Sequence, residues 1–549
     1  MRRNKITRIL ALGLGIALSL TACGGQSQTE TKAPEAAETT TAAGGTQAAE
    51  TTKAAETNGA APAAEYKDTM NIAATAQPPT LDSMTSSSNI ADGIAMHIFE
   101  GLYMMDNTYT PQPILAESCD ISEDGLVYTF KLREGVKFHN GKEMTAEDVV
   151  ASMNRWLQTS AKAKAILGTS VFEAVDTYTV TMTVEHAASD ILILLAAPSQ
   201  FAAISPKEVV DAAGPEGLQE FIGTGPYKLQ EWKQDQYIHL VKNSDYQSPE
   251  GETSGFAGKR EASTENIYFR FVSDDATRIA GIQTGEYDAA EDIPLERYDE
   301  VAAMPGVNLH TKTGGTLTLF INTSQGIMVN QDLRLAVLAA LNMEEIMYGS
   351  YGNPNLYILD PGYMNVNQEQ WAVKGGEEYY NQDNAEKAKE LLAKAGYNGE
   401  KIRLVTTPDY QEMYNATLVV QEQLRQAGFN AEVETYDFPV FMEHRSDPAQ
   451  FDIYITSNSY QLLPSQLSVV NPGWAGLDVK EVNEGVDAIR FAASNEEAKE
   501  NWNNLQAFLY EYGAASVLGH FSGVTATSQK MENFEFFHYP VYWNAKVAK

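Results

Sequence analysis

The sequence predicts an α/β fold of two or three lobes around an open sheet, and three observations support this. Strand-like and helix-like segments alternate between residues 317 and 456, which implies crossover connections within a sheet. Once a leader and a linker are set aside, roughly 480 residues remain, enough for two or three lobes of ordinary size. Aromatic residues make up 10% of the chain, which favours a well-packed globular body.

The chain starts with a leader pattern. Arg2, Arg3, Lys5 and Arg8 precede an apolar run that extends from Ile9 to Leu20. This order is typical of a signal peptide. The run is about a dozen residues long, whereas a permanent transmembrane helix needs roughly 20. Residues 1–22 are therefore predicted to be removed on export.

Cys23 follows small residues in a pattern that resembles the lipobox of bacterial lipoproteins. The resemblance implies cleavage before Cys23 and acylation of its thiol, and two acyl chains hold a protein stably at a membrane. The alternative is an ordinary signal peptide that leaves Cys23 as a free thiol. Cys119 is the only other cysteine, so acylation of Cys23 rules out an intramolecular disulfide.

The segment at 23–65 is predicted to be a disordered tether. Its residues are mainly Ala, Thr, Glu, Gly and Gln, which cannot bury a core. The formal net charge of the whole chain is −34, which argues against nucleic acid as a partner. It also disfavours contact of the body with anionic lipid, so the membrane is expected to be reached through the lipid anchor alone.

The first part of the body reads as strands and one capped helix. A short strand is predicted at 71–75, and two strands at 126–132 and 178–184 alternate apolar and polar residues. Between them Thr145 and Asp148 form a capping box that opens a helix. The region at 101–223 is therefore predicted to be a small α/β lobe.

The rest of the chain continues the alternation. Asp274 is predicted to cap a helix at 274–284 that Gly285 ends, after a strand at 267–272. Further strands are predicted at 317–322, 402–406, 431–436 and 451–456, and further helices at 331–342, 384–395 and 411–427. The aromatic segment at 536–547 is expected to pack back on an earlier lobe.

A search for catalytic motifs favours no enzyme. The body contains no G-x-S-x-G, S-x-x-K or H-E-x-x-H pattern, and the eight histidines are scattered. The pairs Asp274-Asp275 and Glu291-Asp292 are adjacent in the chain, whereas a glycosidase needs carboxylates on both sides of a sugar. His97 is expected to be a core histidine. No cofactor and no metal site are predicted.

The turn at 223–232, GTGPYKLQEW, resembles the domain-crossing segment of the extracellular solute-binding proteins of family 5. These proteins are dipeptide- and oligopeptide-type receptors of ABC importers. The stretches at 115–156, 272–289 and 319–342 resemble the same family in order and spacing.

The resemblance implies a periplasmic-binding-protein type II fold with two hinged lobes and an extra α/β subdomain on the first lobe. Ligand would be enclosed when the lobes close. The implied boundaries are 66–100, 224–312 and 522–549 for lobe I, 101–223 for the extra subdomain, and 313–521 for lobe II.

The resemblance also bears on the ligand. In peptide-binding relatives an Asp in the segment that matches Thr456–Tyr460 pairs with the amino end of the peptide, and Tyr460 stands in its place here. Dipeptide-binding relatives carry an Arg in the segment that matches 407–414, and this chain has none there. A zwitterion buried without paired charges is costly, which disfavours a free dipeptide.

The remaining candidate lining is mostly uncharged, polar and aromatic, and suits a longer peptide held by its backbone or a glycan stacked on rings. The candidate ligand-binding residues are Thr80, Leu81, Tyr410, Tyr414, Ser457, Asn458, Tyr460 and Trp474.

The expected function is that of a monomeric, lipid-anchored receptor on the outer face of the cytoplasmic membrane. It would bind oligopeptides and deliver them to the permease and ATPase subunits of an ABC importer. A second hypothesis is the same role for an oligosaccharide or a chelated metal. A third is an exported hydrolase, and a fourth is a peptide-sensing or chaperone-like lipoprotein.

Overall fold

The computed structural model describes residues 65–215, 217–474 and 476–549. The predicted leader, Cys23 and all but the last residue of the predicted tether lie outside these residues. The strands are β1 (Thr69–Ala74), β2 (Tyr103–Met105), β3 (Pro111–Pro113), β4 (Ala116–Ile121), β5 (Val127–Leu132), β6 (Val171–Asp176), β7 (Thr179–Thr183), β8 (Tyr227–Lys233), β9 (Tyr237–Lys242), β10 (Asn266–Phe271), β11 (Ala289–Ala290), β12 (Val307–Ile321), β13 (Tyr357–Ile358), β14 (Lys401–Thr406), β15 (Asn430–Thr435), β16 (Ile453–Ser459), β17 (Ala515–Ser528), β18 (Met531–Glu532), β19 (Glu535–Phe536), β20 (Pro540–Val541) and β21 (Lys546–Val547). The helices are α1 (Asn89–Ala95), α2 (Ala146–Thr159), α3 (Ala161–Leu167), α4 (Ile191–Leu195), α5 (Lys207–Asp211), α6 (Asp275–Thr284), α7 (Tyr298–Ala302), α8 (Gln331–Ala340), α9 (Met343–Tyr351), α10 (Ala385–Ala395), α11 (Gln411–Gln426), α12 (Phe438–Ser446), α13 (Lys480–Arg490) and α14 (Asn495–Tyr512).

The predicted helix caps are confirmed. Thr145 and Asp148 form the capping box at the start of α2, with both reciprocal hydrogen bonds present. Asp274 accepts a hydrogen bond from the Thr277 amide at the start of α6, and Gly285 ends that helix with a left-handed backbone (φ 78°). These caps satisfy amide groups that a helix start leaves without a partner inside the helix.

The main sheet has eleven strands in the order β15-β14-β16-β12-β17-β11-β1-β10-β9-β8, with β13 paired to β17. Pairing is parallel between β1 and β10 and between β14 and β15, and antiparallel along β16, β12 and β17. The open α/β architecture that the alternation predicts is therefore confirmed. A separate antiparallel sheet, β4-β5-β7-β6, packs with α2 in the region predicted as the extra subdomain.

Two long strands, β12 and β17, join the halves of the main sheet. They pair antiparallel from Val307 opposite Ser528 to Phe320 opposite Ala515, and their register shifts between Thr313 and Gly315. A Cβ atom on Gly315 would lie 2.1 Å from the Asn458 carbonyl oxygen, so the neighbouring strand requires glycine here. The predicted crossing points, 312–313 and 521–522, lie at this β-bulge. Movement of the lobes about it stays a prediction.

The turn at 223–232 lies directly against the backbone that follows α1. The Gly225 amide donates to the Ile98 carbonyl oxygen (2.9 Å) and the Tyr227 amide to the His97 carbonyl oxygen (3.0 Å). A Cβ atom on Gly225 would lie 2.7 Å from that His97 oxygen. The two glycines of the turn are thus explained by close backbone packing.

Replacing Gly225 by alanine is expected to lower the free energy of unfolding by about 1–3 kcal/mol, the usual cost of forcing an added group into packed structure. Gly214→Ala is the matched control, because a Cβ atom there meets nothing within 4 Å. Urea unfolding followed by tryptophan fluorescence measures both. Equal stability of the two variants would contradict this account of the turn.

The C-terminal segment packs back as predicted. Tyr542 and Trp543 are fully buried. The Tyr542 amide donates to Nε2 of His97 (3.1 Å), whose Nδ1 donates to the Gly93 carbonyl oxygen (2.9 Å). Burial lowers the pKa of His97 to about 4, so the ring is neutral. His97 is therefore the core histidine that the sequence predicts.

Candidate functional site

A cavity of about 590 Å³ lies beside the bulge between β12 and β17. Segments on both sides of the predicted lobe boundary line it. The predicted lobe I and its subdomain contribute residues of α1 and α3, the pair Glu291-Asp292, Phe536 and residues 538–540. The predicted lobe II contributes Gly314, Ser459–Gln461 and Phe521. The volume lies within the range of roughly 300–1,000 Å³ that is usual for small-molecule sites.

Contacts between the predicted lobes accompany the cavity. The Asn365 side-chain amide donates to the Tyr109 hydroxyl (3.2 Å), and the Ser189 amide donates to the Arg490 carbonyl oxygen (3.4 Å). These contacts join the region predicted as the extra subdomain to the second half of the chain, outside the cavity wall.

Tyr460 is held in place at the cavity wall. Its hydroxyl lies 2.6 Å from Nδ1 of His520 on β17, which is separated from β16 by β12. Burial lowers the pKa of His520 to about 4 and raises the pKa of Tyr460. The neutral imidazole and the protonated hydroxyl share this hydrogen bond, which orients the phenol ring.

Two lysines bring positive charge to the cavity. Lys312 lies on β12 just before the bulge, and its ammonium donates to the His538 carbonyl oxygen. Lys162 lies at the start of α3. Burial lowers the pKa of both groups, that of Lys312 to about 8, and nearby Asp292 and Asp92 partly offset the effect. Both lysines are half-buried and line the cavity wall.

Acidic groups lie on the same cavity. Glu291 accepts a hydrogen bond from the Tyr542 hydroxyl (3.0 Å), and burial raises its pKa to about 8. Burial also raises the pKa of Asp292, against the opposing effect of Arg278. Asp292 has a φ of 49°, in the left-handed region. Such strained non-glycine residues concentrate at ligand sites.

Aromatic side chains complete the wall, with Phe269, Phe521, Phe536 and Tyr539 all lining the cavity. Apolar rings with a few convergent charged groups are the usual composition of a ligand pocket. The arrangement can therefore enclose and orient a polar solute.

Of the eight candidate residues, Tyr460 lines this cavity. Leu81 is fully buried in the core, and the hydroxyl of Thr80 accepts from the Asp82 amide in a turn. Tyr410 is exposed and lies against Phe438, with ring centroids 4.7 Å apart. Tyr414 lies half-buried on α11.

The remaining three candidates have protein partners. The Ser457 hydroxyl donates to Glu412 (3.3 Å), and Asn458 accepts from the Ser468 hydroxyl (2.7 Å). Trp474 lies under the guanidinium of Arg445, 3.8 Å from the ring centroid. Ligand contact by the eight candidates stays a prediction.

The charged groups of the cavity were missed as ligand candidates. Two sequence features could have pointed to them: Glu291-Asp292 is an acidic pair, and Lys312 lies beside the predicted crossing point. Lys162 and His538 give no such signal, because only the fold brings them to this cavity.

Within residues 65–215, 217–474 and 476–549, no cluster of three or more His, Cys, Asp or Glu side chains has metal-binding geometry. In the same part of the chain, no helix combines the length and apolar character needed to cross a membrane.

The chain matches one protein family and resembles individual transport proteins. The model of the bacterial extracellular solute-binding proteins, family 5, matches residues 110–475, more than half of the chain. A probable peptide ABC transporter periplasmic-binding protein of Sinorhizobium fredii is 25% identical over 499 residues, 85% of this chain and 91% of that protein. A glutathione-binding protein of Escherichia coli is 29% identical over 371 residues, 65% of this chain and 67% of that protein.

Solved structures share the fold. The ABC transporter substrate binding protein CtaP of Listeria monocytogenes superposes with a TM-score of 0.74 at 22% identity, over 85% of this chain and 95% of that one. The oligopeptide-binding protein AppA of Bacillus subtilis, solved with a nonapeptide, superposes with a TM-score of 0.65 at 19% identity, over 89% and 100%.

Proposed function

The chain belongs to the bacterial extracellular solute-binding proteins of family 5 and has the type II periplasmic-binding-protein fold, and on this premise we propose that it is the oligopeptide receptor of an ABC importer. The cavity at the β12–β17 bulge carries the proposal, because both halves of the main sheet contribute to its wall. A ligand that touches both halves stabilises the closed arrangement, which the permease can then recognise.

The solute that co-purifies with the folded protein tests this proposal. Gentle purification followed by denaturation and mass spectrometry is expected to release peptides. Release of sugars alone would favour the same receptor role for an oligosaccharide and would contradict the oligopeptide. Hydrolysis of an added peptide or glycan by the purified protein would contradict a purely binding role.

We also propose that the body is tethered to the membrane through acylated Cys23 and a flexible segment at 23–65. The small residues before Cys23 and the absence of large apolar residues from Gly24 to Ala64 support this. Cys23→Ser is expected to abolish labelling by radioactive palmitate and to move the protein from the membrane fraction to the medium. Cys119→Ser is the control and should stay membrane-bound. Unchanged fractionation of the Cys23 variant would overturn the anchor.

A further inference from the structure

Lys162 and Lys312 are the two lysines that line the cavity. Neither ammonium lies within 4.0 Å of a carboxylate oxygen of the described residues. Lys312 makes one hydrogen bond, to the His538 carbonyl oxygen, and Lys162 makes none with any described residue. An ammonium partly removed from water without an anionic partner is unfavourable.

The two lysines come from separate parts of the fold. Lys162 projects from α3 of the extra subdomain, while Lys312 lies on β12 at the crossing point. Lys162, Lys312 and His538 nevertheless line the same cavity. The charges of both lysines add to the effect of burial in lowering the pKa of the His538 imidazole.

In the part of the chain that the structure describes, the acidic side chains near the two lysines form no ion pair with them. Asp292 attracts Lys312 and Asp92 attracts Lys162, yet neither pair is in contact within the described part of the chain. Burial raises the pKa of both Glu291 and Asp92 to about 8, so these acids are largely neutral at pH 7. One oxygen of Asp92 is buried without a hydrogen-bond partner among the described residues.

We propose that the cavity recognises its solute through a carboxylate that binds between Lys162 and Lys312. The class of ligand is then a peptide with a free carboxyl terminus, rather than a neutral glycan. This inference rests on the proposed function, since it takes the cavity as the solute site. It also differs from the sequence expectation of a largely uncharged lining.

The test uses a pentapeptide library with random central positions, synthesised once with a free carboxyl terminus and once as the amide. Protein freed of solute by unfolding and refolding is titrated with each library in a calorimeter. Wild-type protein is expected to bind the free-acid library about tenfold or more tightly than the amide, as for a charge-assisted hydrogen bond.

The variants are Lys162→Met, Lys312→Met and the double variant, with Lys530→Met as the control because Lys530 is exposed and outside the cavity. The double variant is expected to bind both libraries equally, at the affinity of wild type for the amide. The control should keep the preference for the free acid. Equal binding of both libraries by wild type would overturn the inference and leave the proposed function standing.

Identifying the co-purified solute by mass spectrometry distinguishes the remaining outcomes. This measurement uses wild-type protein and does not depend on the folding of a variant. If neither library binds and the solute is a carboxylate that is not a peptide, the oligopeptide proposal and the assignment of a peptide carboxyl terminus both fail, while the carboxylate site between the lysines stands. If the solute carries no anionic group, the inference fails. A preference for the free acid that survives in a folded double variant also overturns it.

Discussion

Replacing Arg260 by methionine is expected to lower the free energy of unfolding by about 3–5 kcal/mol, the usual cost of breaking a buried ion pair. Arg260 and Glu100 lie 3.0 Å apart with side-chain exposures of 0% and 1%. Glu100 also accepts hydrogen bonds from the hydroxyls of Thr224 and Tyr246, both at 2.8 Å. Removing the guanidinium leaves this buried carboxyl group without its cationic partner.

The ion pair between Arg260 and Glu100 is expected to make the loss cooperative across the predicted lobe I. The guanidinium of Arg260 lies 4.9 Å from the ring centroid of Trp543, in the C-terminal segment. Thr224 belongs to the turn at 223–232, and Glu100 follows α1. Arg260 thus connects Glu100, 160 positions away in the chain, with the C-terminal segment. We expect the whole lobe to lose stability, rather than one loop.

Urea unfolding of wild type and variant measures the effect. Arg297→Met is the control, because Arg297 pairs with Glu300 and Asp275 at the surface, where such pairs contribute about 0–1 kcal/mol. The double variant Arg260→Met, Glu100→Leu should recover much of the loss, since a buried apolar pair replaces the charges. A loss no larger than that of Arg297→Met would contradict the account.

Local features of this protein could be predicted from sequence because their causes are local. The capping box at Thr145 and the cap at Asp274 depend on residues three positions apart. Strand β5 shows the alternating burial that its apolar and polar residues predict. Amphipathic patterns and caps carry their own signal, and no distant partner is needed.

The crossing strand β17 could not be placed in the same way. Strand β17 has a nearly continuous buried run from Ala515 to His520, so it lacks an alternating pattern. Its partner β12 lies about two hundred residues away in the chain. A strand buried on both faces gives a weak periodic signal.

The cavity illustrates the same limit. Its charged lining comes from separate elements, namely α3, the residues after β11, strand β12 and the C-terminal segment. These elements bring together Lys162, Glu291, Lys312 and His538. Family motifs locate the segment that ends at Tyr460, because that segment is local. They do not locate charges that arrive from separate parts of the fold. The combined charge of this cavity was therefore the feature that the family motifs did not reveal.

Replacing Glu291 by glutamine is expected to change how stability depends on pH. Burial raises the pKa of this carboxyl from 4.5 to about 8. Between these values the folded protein holds a proton that the unfolded chain releases, so rising pH favours unfolding. Wild type is thus expected to lose a few kcal/mol of stability relative to the glutamine variant between about pH 4.5 and 8. Urea unfolding of solute-free protein at several pH values measures this difference.

The comparison isolates Glu291 because the other buried groups titrate in both proteins. Asp92, with a pKa of about 8, acts in the same direction, while His97 and His139, with pKa values of about 4, act in the opposite direction below pH 6.5. Glu173→Gln serves as the control, because Glu173 is exposed on β6. A difference between wild type and the Glu291 variant that stays constant across this pH range would mean that Glu291 is ionised in the folded protein. The cavity would then carry more negative charge, and a carboxylate ligand would be disfavoured there.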